Sequence, residues 1–313
     1  MKITRTGSIG FLVAAIGILS SPVCSAFWGA VGHNDHSDME HEYPYVKNSL
    51  DEQMRLLRAS KMTWYRTSCQ STNCAALISA AAAHGINILK SLGIKPDSDM
   101  DEAANYSRAY TFAVAQGAKY NYAFKFFEAS NELDNWVGMN GDGSARSQYS
   151  QARYLQARGT IRGLVDGIHA ANSSAKVVVD DAGWCHYGFL QMLWEDGVRW
   201  DVTGFHWYSD QGNIEHAGCN NANVLAKHAA FGPPVWITEF NYKVSHATPD
   251  PNGTAVWMGE FIAQLQSVAS KYKLQLAFAY ELFDEPNLSG PNGHYGLFSA
   301  DAVAKFSIAS MIN

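Results

Sequence analysis

The sequence has no block of lysine and arginine, and little charge of any kind. Asp, Glu, Lys and Arg make up 17% of its 313 residues, and the formal net charge is −6. A chain without a basic patch cannot neutralise a phosphate backbone, so nucleic acid is not an expected partner. Beyond residue 26 no apolar run is long enough to span a bilayer, and no membrane anchor is expected. No Gly-x-Gly-x-x-Gly stands between a strand and a helix, so a dinucleotide-binding fold has no support. Linkers, repeats and low-complexity tracts are missing too, which argues for one domain.

Cysteine is scarce, at five residues. One of them falls in Met1–Ala26, which reads as a cleavable signal peptide. Lys2 and Arg5 form a positive start, Ile9–Leu19 a short apolar run, and Cys24-Ser25-Ala26 a small-residue cleavage site. The mature chain is then residues 27–313, secreted or periplasmic and soluble. Export leaves an even set of Cys69, Cys74, Cys185 and Cys219, which suggests two disulfides. A short loop separates Cys69 from Cys74, so a local bridge fits there and leaves Cys185 for Cys219. A zinc site is the alternative, but no Cys-x-x-Cys pair supports it.

What the chain does have is an alternation of strand-like and helix-like stretches. Strands are expected at 27–33, 62–66, 86–90, 122–129, 176–180, 201–208, 234–240 and 274–280. Helices are expected at 50–60, 74–84, 101–116, 148–171, 189–196, 223–230, 256–271 and 302–311, with a polar loop through Tyr45 and another at Asn135–Gly138. The run Val177-Val178-Val179 implies a strand buried on both faces. Eight buried strands alternating with helices predict an α/β chain folded as a single-domain (β/α)8 TIM barrel. A doubly wound open sheet is the rival.

In such a barrel the active site lies at the C-terminal ends of the strands. Those ends carry His33, Arg66, Asn131, Glu132, His206, Tyr208, Glu239 and Glu281. Glu132 and Glu239 each close an apolar strand, a costly place for a charge that has no task or partner. Two carboxylates on different strands are what glycoside hydrolysis requires. One gives a proton to the leaving oxygen, and the other attacks or activates water.

Asn131-Glu132 on the fourth strand, Tyr208 on the sixth, Glu239 on the seventh and Arg66 on the second resemble the pattern of clan-A retaining glycoside hydrolases. The resemblance is nearest to the branches that include xylosidases and bacterial exopolysaccharide hydrolases, and it spans nearly all of the mature chain. It implies Glu132 as acid/base and Glu239 as nucleophile. Asn131 would bond the sugar 2-hydroxyl, Arg66 would hold Glu239 ionised, Tyr208 would orient it, and His206 would line the floor. The family often has Trp at the end of the eighth strand. Here Glu281 stands near that place, where it would bond hydroxyls instead of stacking.

Read as structure alone, Glu132, Glu239 and Arg66 could form ordinary barrel ion pairs, and His206 and Tyr208 could be half-buried polar aromatics. Trp136 and Trp184 follow strand ends and are expected to stack on sugar. Trp207 is a further candidate, and Trp257, in a helix, reads as core. His33 and His36 are spaced His-x-x-His, which reads as a polar rim and not a metal site. The expected function is therefore cleavage of a β-linked polysaccharide or oligosaccharide, endo-acting in an open groove, by a monomer without cofactor or metal. The rivals are a non-catalytic glycan-binding barrel and a metal-dependent barrel hydrolase.

Overall fold

Strand β5 (Lys176–Val179) is a run of valines, fully buried after its first residue. The computed structural model describes residues 27–35, 39–69, 72–119, 123–243, 250–288 and 290–312, and it places this strand in the wall of a closed barrel. The other strands are β1 (Trp28–Gly32), β2 (Trp64–Thr67), β3 (Asn87–Leu92), β4 (Phe126–Ala129), β6 (Val202–Tyr208), β7 (Val235–Asn241) and β8 (Leu274–Ala279). Each pairs in parallel with the next, and β1 closes on β8. The expected (β/α)8 barrel is present. The predicted signal peptide and His36 lie outside the described residues, as does Tyr122, where the fourth strand was expected to begin.

Alternate residues of a barrel strand face inward. At the N-terminal end the interior is aromatic. Trp64 meets Phe126 at 4.8 Å and Trp236 at 5.1 Å, and Trp236 meets Phe278 at 6.3 Å. Two residues further along the same strands, Arg66 follows Trp64 and Glu128 follows Phe126, so the packed layer gives way to a charged one. On β7 the period breaks. Phe205 pairs with Ile237 but His206 pairs with Glu239, which makes Thr238 an extra residue. This bulge brings Glu239, three positions from the inward Trp236, to the inside as well.

The helices are α1 (Met39–Lys47), α2 (Leu50–Ala59), α3 (Cys74–His84), α4 (Glu102–Ala118), α5 (Leu133–Val137), α6 (Gln151–Ala171), α7 (Tyr187–Glu195), α8 (Val224–Ala229) and α9 (Pro251–Val268). Local chemistry sets their ends. The Ser49 side chain caps α2 by accepting from Glu52 N–H, Asp101 caps α4 by accepting from Ala104 N–H, and Gly85, at φ 63°, ends α3. Helices α4 and α6 pack closely because α6 presents Gly163. A Cβ there would lie 2.4 Å from the Tyr106 carbonyl.

Three expectations fail. Met39–Tyr45 belongs to α1 instead of a polar loop, and Asn135–Val137 belongs to α5 instead of a loop. The closing helix at 302–311 does not form. Ala302 has φ 62°, Ser299 N–H donates to the Val303 carbonyl, and the chain turns back on itself before a short 3-10 turn at Ile308–Ser310. Helix α9 starts at Pro251, five residues before the predicted Val256, because the Asp250 side chain caps it by accepting from Gly253 N–H. The cysteines pair as Cys69–Cys74 and Cys185–Cys219, with Cα atoms 5.1 and 6.2 Å apart. Among the described residues no helix is long and apolar enough to cross a membrane.

Candidate active site

Above the charged layer opens a cleft of 480 Å³, lined by residues from the ends of β1, β2, β3, β6, β7 and β8 and from the loop after β4. Arg66 is its anchor. The side chain is 5% exposed, and its guanidinium donates from Nε to Glu128 (2.6 Å), from Nη1 to Glu239 Oε1 (2.7 Å) and from Nη2 to Asn131 Oδ1. With its oxygen engaged, Asn131 has an amide NH2 to offer a ligand. Burial works against the arginine's charge, but Glu128, Glu239 and Asp180 outweigh it and raise its pKa.

Glu239 is held at both oxygens, since the Tyr208 hydroxyl donates to Oε2 at 2.7 Å. Burial first, and then the Glu239 charge, push the Tyr208 phenol well above its ordinary range, so it stays a donor. Glu132 faces Glu239 from the other wall. A carboxylate oxygen of each and a ring nitrogen of His206 lie within 4.8 Å of one another. The two glutamates thus point to one rim and meet across a narrow gap.

Glu132 sits where the chain leaves β4 in strained backbone. Ser130 has φ 74° and Glu132 φ 49°, left-handed values that non-glycine residues seldom adopt. Four bonds hold this turn. Glu132 N–H donates to Asp180 Oδ1 (3.3 Å), Asn135 Nδ2 donates to Glu132 Oε2 (3.1 Å), and buried Asp134 ties α5 to the loop after β5 through Ala182 N–H (3.2 Å) and His186 Nδ1 (2.5 Å). Burial raises the Asp134 carboxyl. Burial would raise Glu132 as well, but the hydrogen bond and charge of His206 outweigh it and hold this carboxyl down at about 2.

The structure redistributes several of the predicted site residues. Arg66, Asn131, Glu132, Tyr208, Glu239 and His33 line the cleft. Trp136 lines an adjoining hollow of 380 Å³ that shares Asn131 and Glu132 with it. His206 does not reach the cleft surface. Its side chain is 0% exposed and lies beneath the two glutamates, because the bulge pairs it with Glu239 below the rim. Glu281 is also corrected. It is wholly buried, accepts from the Tyr45 hydroxyl (3.1 Å), lies 3.3 Å from His33 Nε2, and does not line the cleft. Tyr280 lines the cleft in its place and meets Tyr208 and Tyr295 edge-on at 6.3 and 5.7 Å, forming an aromatic wall. Trp184 packs half-buried against core residues outside the cleft lining, Trp207 is core, and Trp257 stacks on Phe261.

Sequence reasoning missed Tyr280, Tyr295, Glu128 and Asp180. Tyr280 stood one residue from the position chosen, whereas Tyr295 comes from a loop without periodicity. Glu128 gave a signal that could have been used, as a charge inside an otherwise apolar strand. The carboxylates around Arg66 could be mistaken for a metal centre. The cation they hold is the guanidinium, 2.6 Å from Glu128, 2.7 Å from Glu239 and 4.0 Å from Asp180.

A family model described as the glycosyl hydrolase catalytic core matches residues 167–287, the segment that carries Asp180, His206, Tyr208 and Glu239. No curated protein matches the chain. Among solved structures, the GH53 catalytic domain of Ignisphaera aggregans has a TM-score of 0.65 at 15% identity, covering 94% of this chain and 97% of that one. The intracellular xylanase of Thermoanaerobacterium saccharolyticum has a TM-score of 0.63 at 16% identity, covering 92% and 98%. The β-glucosidase of Thermotoga maritima has a TM-score of 0.67 at 10% identity, covering 94% and 98%. At these identities the structures speak for the fold. The matched segment is similar to the catalytic core of glycosyl hydrolases.

Proposed function

We propose that this chain is a retaining glycoside hydrolase that cuts β-glycosidic bonds within a polysaccharide. Glu239 attacks the anomeric carbon and Glu132 manages the proton. The observation that carries this reading is the gap between them, with carboxylate oxygens within 4.8 Å. Retaining enzymes hold their carboxyl groups about 5–5.5 Å apart, and inverting enzymes roughly 6.5–9.5 Å, to leave room for a water. Arg66 and Tyr208 occupy the two oxygens of Glu239 and fix it for attack, while Asn131 is placed to bond the sugar next to the reacting carbon.

Cutting inside a chain is supported by the shape of the site. The aromatic wall of Tyr208, Tyr280 and Tyr295 lies on one side of Glu132, and the hollow with Trp136 and Lys95 lies on the other. Since Glu132 faces the leaving group, the Trp136 side takes the departing sugar. We also place the protein outside the cytoplasm, as a monomer released from the leader at 1–26, and the two disulfides support export. N-terminal sequencing of the mature protein checks the leader.

Glu239→Gln is expected to abolish turnover. Azide should rescue Glu239→Gly and give a glycosyl azide of inverted configuration. Unimpaired hydrolysis by Glu239→Gln removes the nucleophile assignment. A screen of β-glucan, xylan, mannan and bacterial exopolysaccharides, with products sized, identifies the polymer and separates internal from terminal cleavage.

A further inference from the structure

The assigned acid poses a problem in the open cleft. The His206 hydrogen bond and charge favour the ionised Glu132, yet the first chemical step needs a proton there. The proton lies close by. His206 is completely buried and bridges three carboxylates: Nδ1 is 2.7 Å from Glu132 Oε1 and 3.4 Å from Glu239 Oε2, and Nε2 is 3.2 Å from Asp180 Oδ2. We infer that His206, backed by Asp180, stores at Nδ1 the proton that Glu132 delivers to the leaving group. This rests on the reading of Glu132 as the acid/base. His206 acts through Glu132 and is a positioning residue for the proton.

The charged and titratable groups around the imidazole come from several strands. They are Arg66 on β2, Glu128 on β4, Glu132 after β4, Asp180 after β5, Tyr208 on its own strand and Glu239 on β7. Four of these are carboxylates. Burial works against a charged imidazolium, but Glu239, Asp180 and Glu132 outweigh it and raise its pKa well above the ordinary range. In the empty cleft Glu132, with a side chain 31% exposed, is solvated as an ion and the proton stays on nitrogen. A sugar laid over Glu132 removes that water, and loss of solvent favours the neutral pair over the ion pair.

The step balances. The Nδ1–H bond breaks, its electron pair stays on nitrogen, and an O–H bond forms on Glu132. His206 becomes neutral and keeps Nε2–H toward Asp180, so the net charge of the floor does not change. Glu132 then gives the proton to the leaving oxygen as the glycosidic bond breaks to Glu239. In the second half Glu132 takes a proton from water while the water oxygen displaces Glu239 from the anomeric carbon, and that proton returns to Nδ1.

Two measurements test this on the full chain. The first needs no substrate: a pH titration followed by ¹⁵N NMR with labelled histidine, His206 being assigned from the His206→Asn spectrum. An imidazolium at pH 7 is expected, becoming neutral at lower pH in Asp180→Asn, because removing a neighbouring negative charge makes the proton easier to lose. A neutral His206 at pH 7 overturns the proposal. The second uses aryl β-glucosides, β-xylosides and β-mannosides with leaving groups from dinitrophenol to phenol. For His206→Asn and Asp180→Asn, kcat/KM should fall increasingly as the leaving group worsens, by about 10²-fold or more at phenol relative to dinitrophenol. The basic limb of the kcat/KM profile should move to lower pH. Equal loss on all substrates would mean a merely structural role and would overturn the proposal. Asp180→Asn decides the matter if His206→Asn does not fold. Glu132→Gln separates the two levels. If it too shows no dependence on leaving group, the acid assignment has failed; if it alone shows that dependence, only the role of His206 has failed.

Discussion

Arg66 organises more of the site than either glutamate does. One guanidinium serves Glu128, Glu239 and Asn131, and the floor around it holds more carboxylates than cations. The excess shows at Glu128, whose carboxyl burial pushes up despite the arginine. The sign of the consequence is definite. Between the ordinary glutamate value and the raised one, the folded chain holds a proton that the unfolded chain has released, so stability falls as pH rises through that window. Glu128→Gln should remove this pH dependence, and urea unfolding at pH 4.5 and pH 8 should show the variant's stability relative to the parent shifting in its favour at pH 8. The backbone at Glu132 gives a second prediction. Its φ of 49° suits glycine, so Glu132→Gly should be more stable than Glu132→Ala by about 1 kcal/mol in chemical denaturation. Glu132, Glu239, Arg66 and Tyr208 were legible in the sequence because charged or polar groups ending apolar strands need a reason to be there. Glu281 was misplaced because a strand end names a position to within a residue or so and does not say whether the side chain faces sugar or protein; His206, expected at the floor, lies there but beneath the two glutamates.

At the scale of elements, periodicity revealed every strand of the barrel, and the errors fell where local bonding overrides it. Thr238 is the instructive case. Nothing in Val-Trp-Ile-Thr-Glu-Phe-Asn announces an extra residue, yet without it Trp236 and Glu239 could not share the interior. The missing closing helix has a comparable cause, since Ser299 and Ala302 bond within a turn that the sequence pattern does not display. The contact between α4 and α6 yields a prediction of its own. A methyl group at Gly163 would press on the Tyr106 carbonyl, so Gly163→Ala should cost about 1–3 kcal/mol, read as a lower Tm, while kcat on any accepted substrate stays the same.

For the whole molecule, the two disulfides differ in the length of chain they close. Cys185–Cys219 spans a separation of 34 residues and Cys69–Cys74 a separation of 5. A longer closed loop restrains the unfolded chain more, so the Cys185→Ser/Cys219→Ser double variant should lose roughly 2–4 kcal/mol, more than the Cys69→Ser/Cys74→Ser pair, in matched thermal melts. The pairing itself could be read from spacing once export was assumed.

The layer of Trp64, Phe126, Trp236 and Phe278 has a further consequence, because it stops the barrel like a cork at the end away from the cleft. These packed rings hinder the entry of hydrons from below. Once a glycan covers the mouth, the polar chamber between cork and sugar must finish each chemical step with the same inventory of hydrons it started with, and any correction to that inventory has to wait until the mouth opens again.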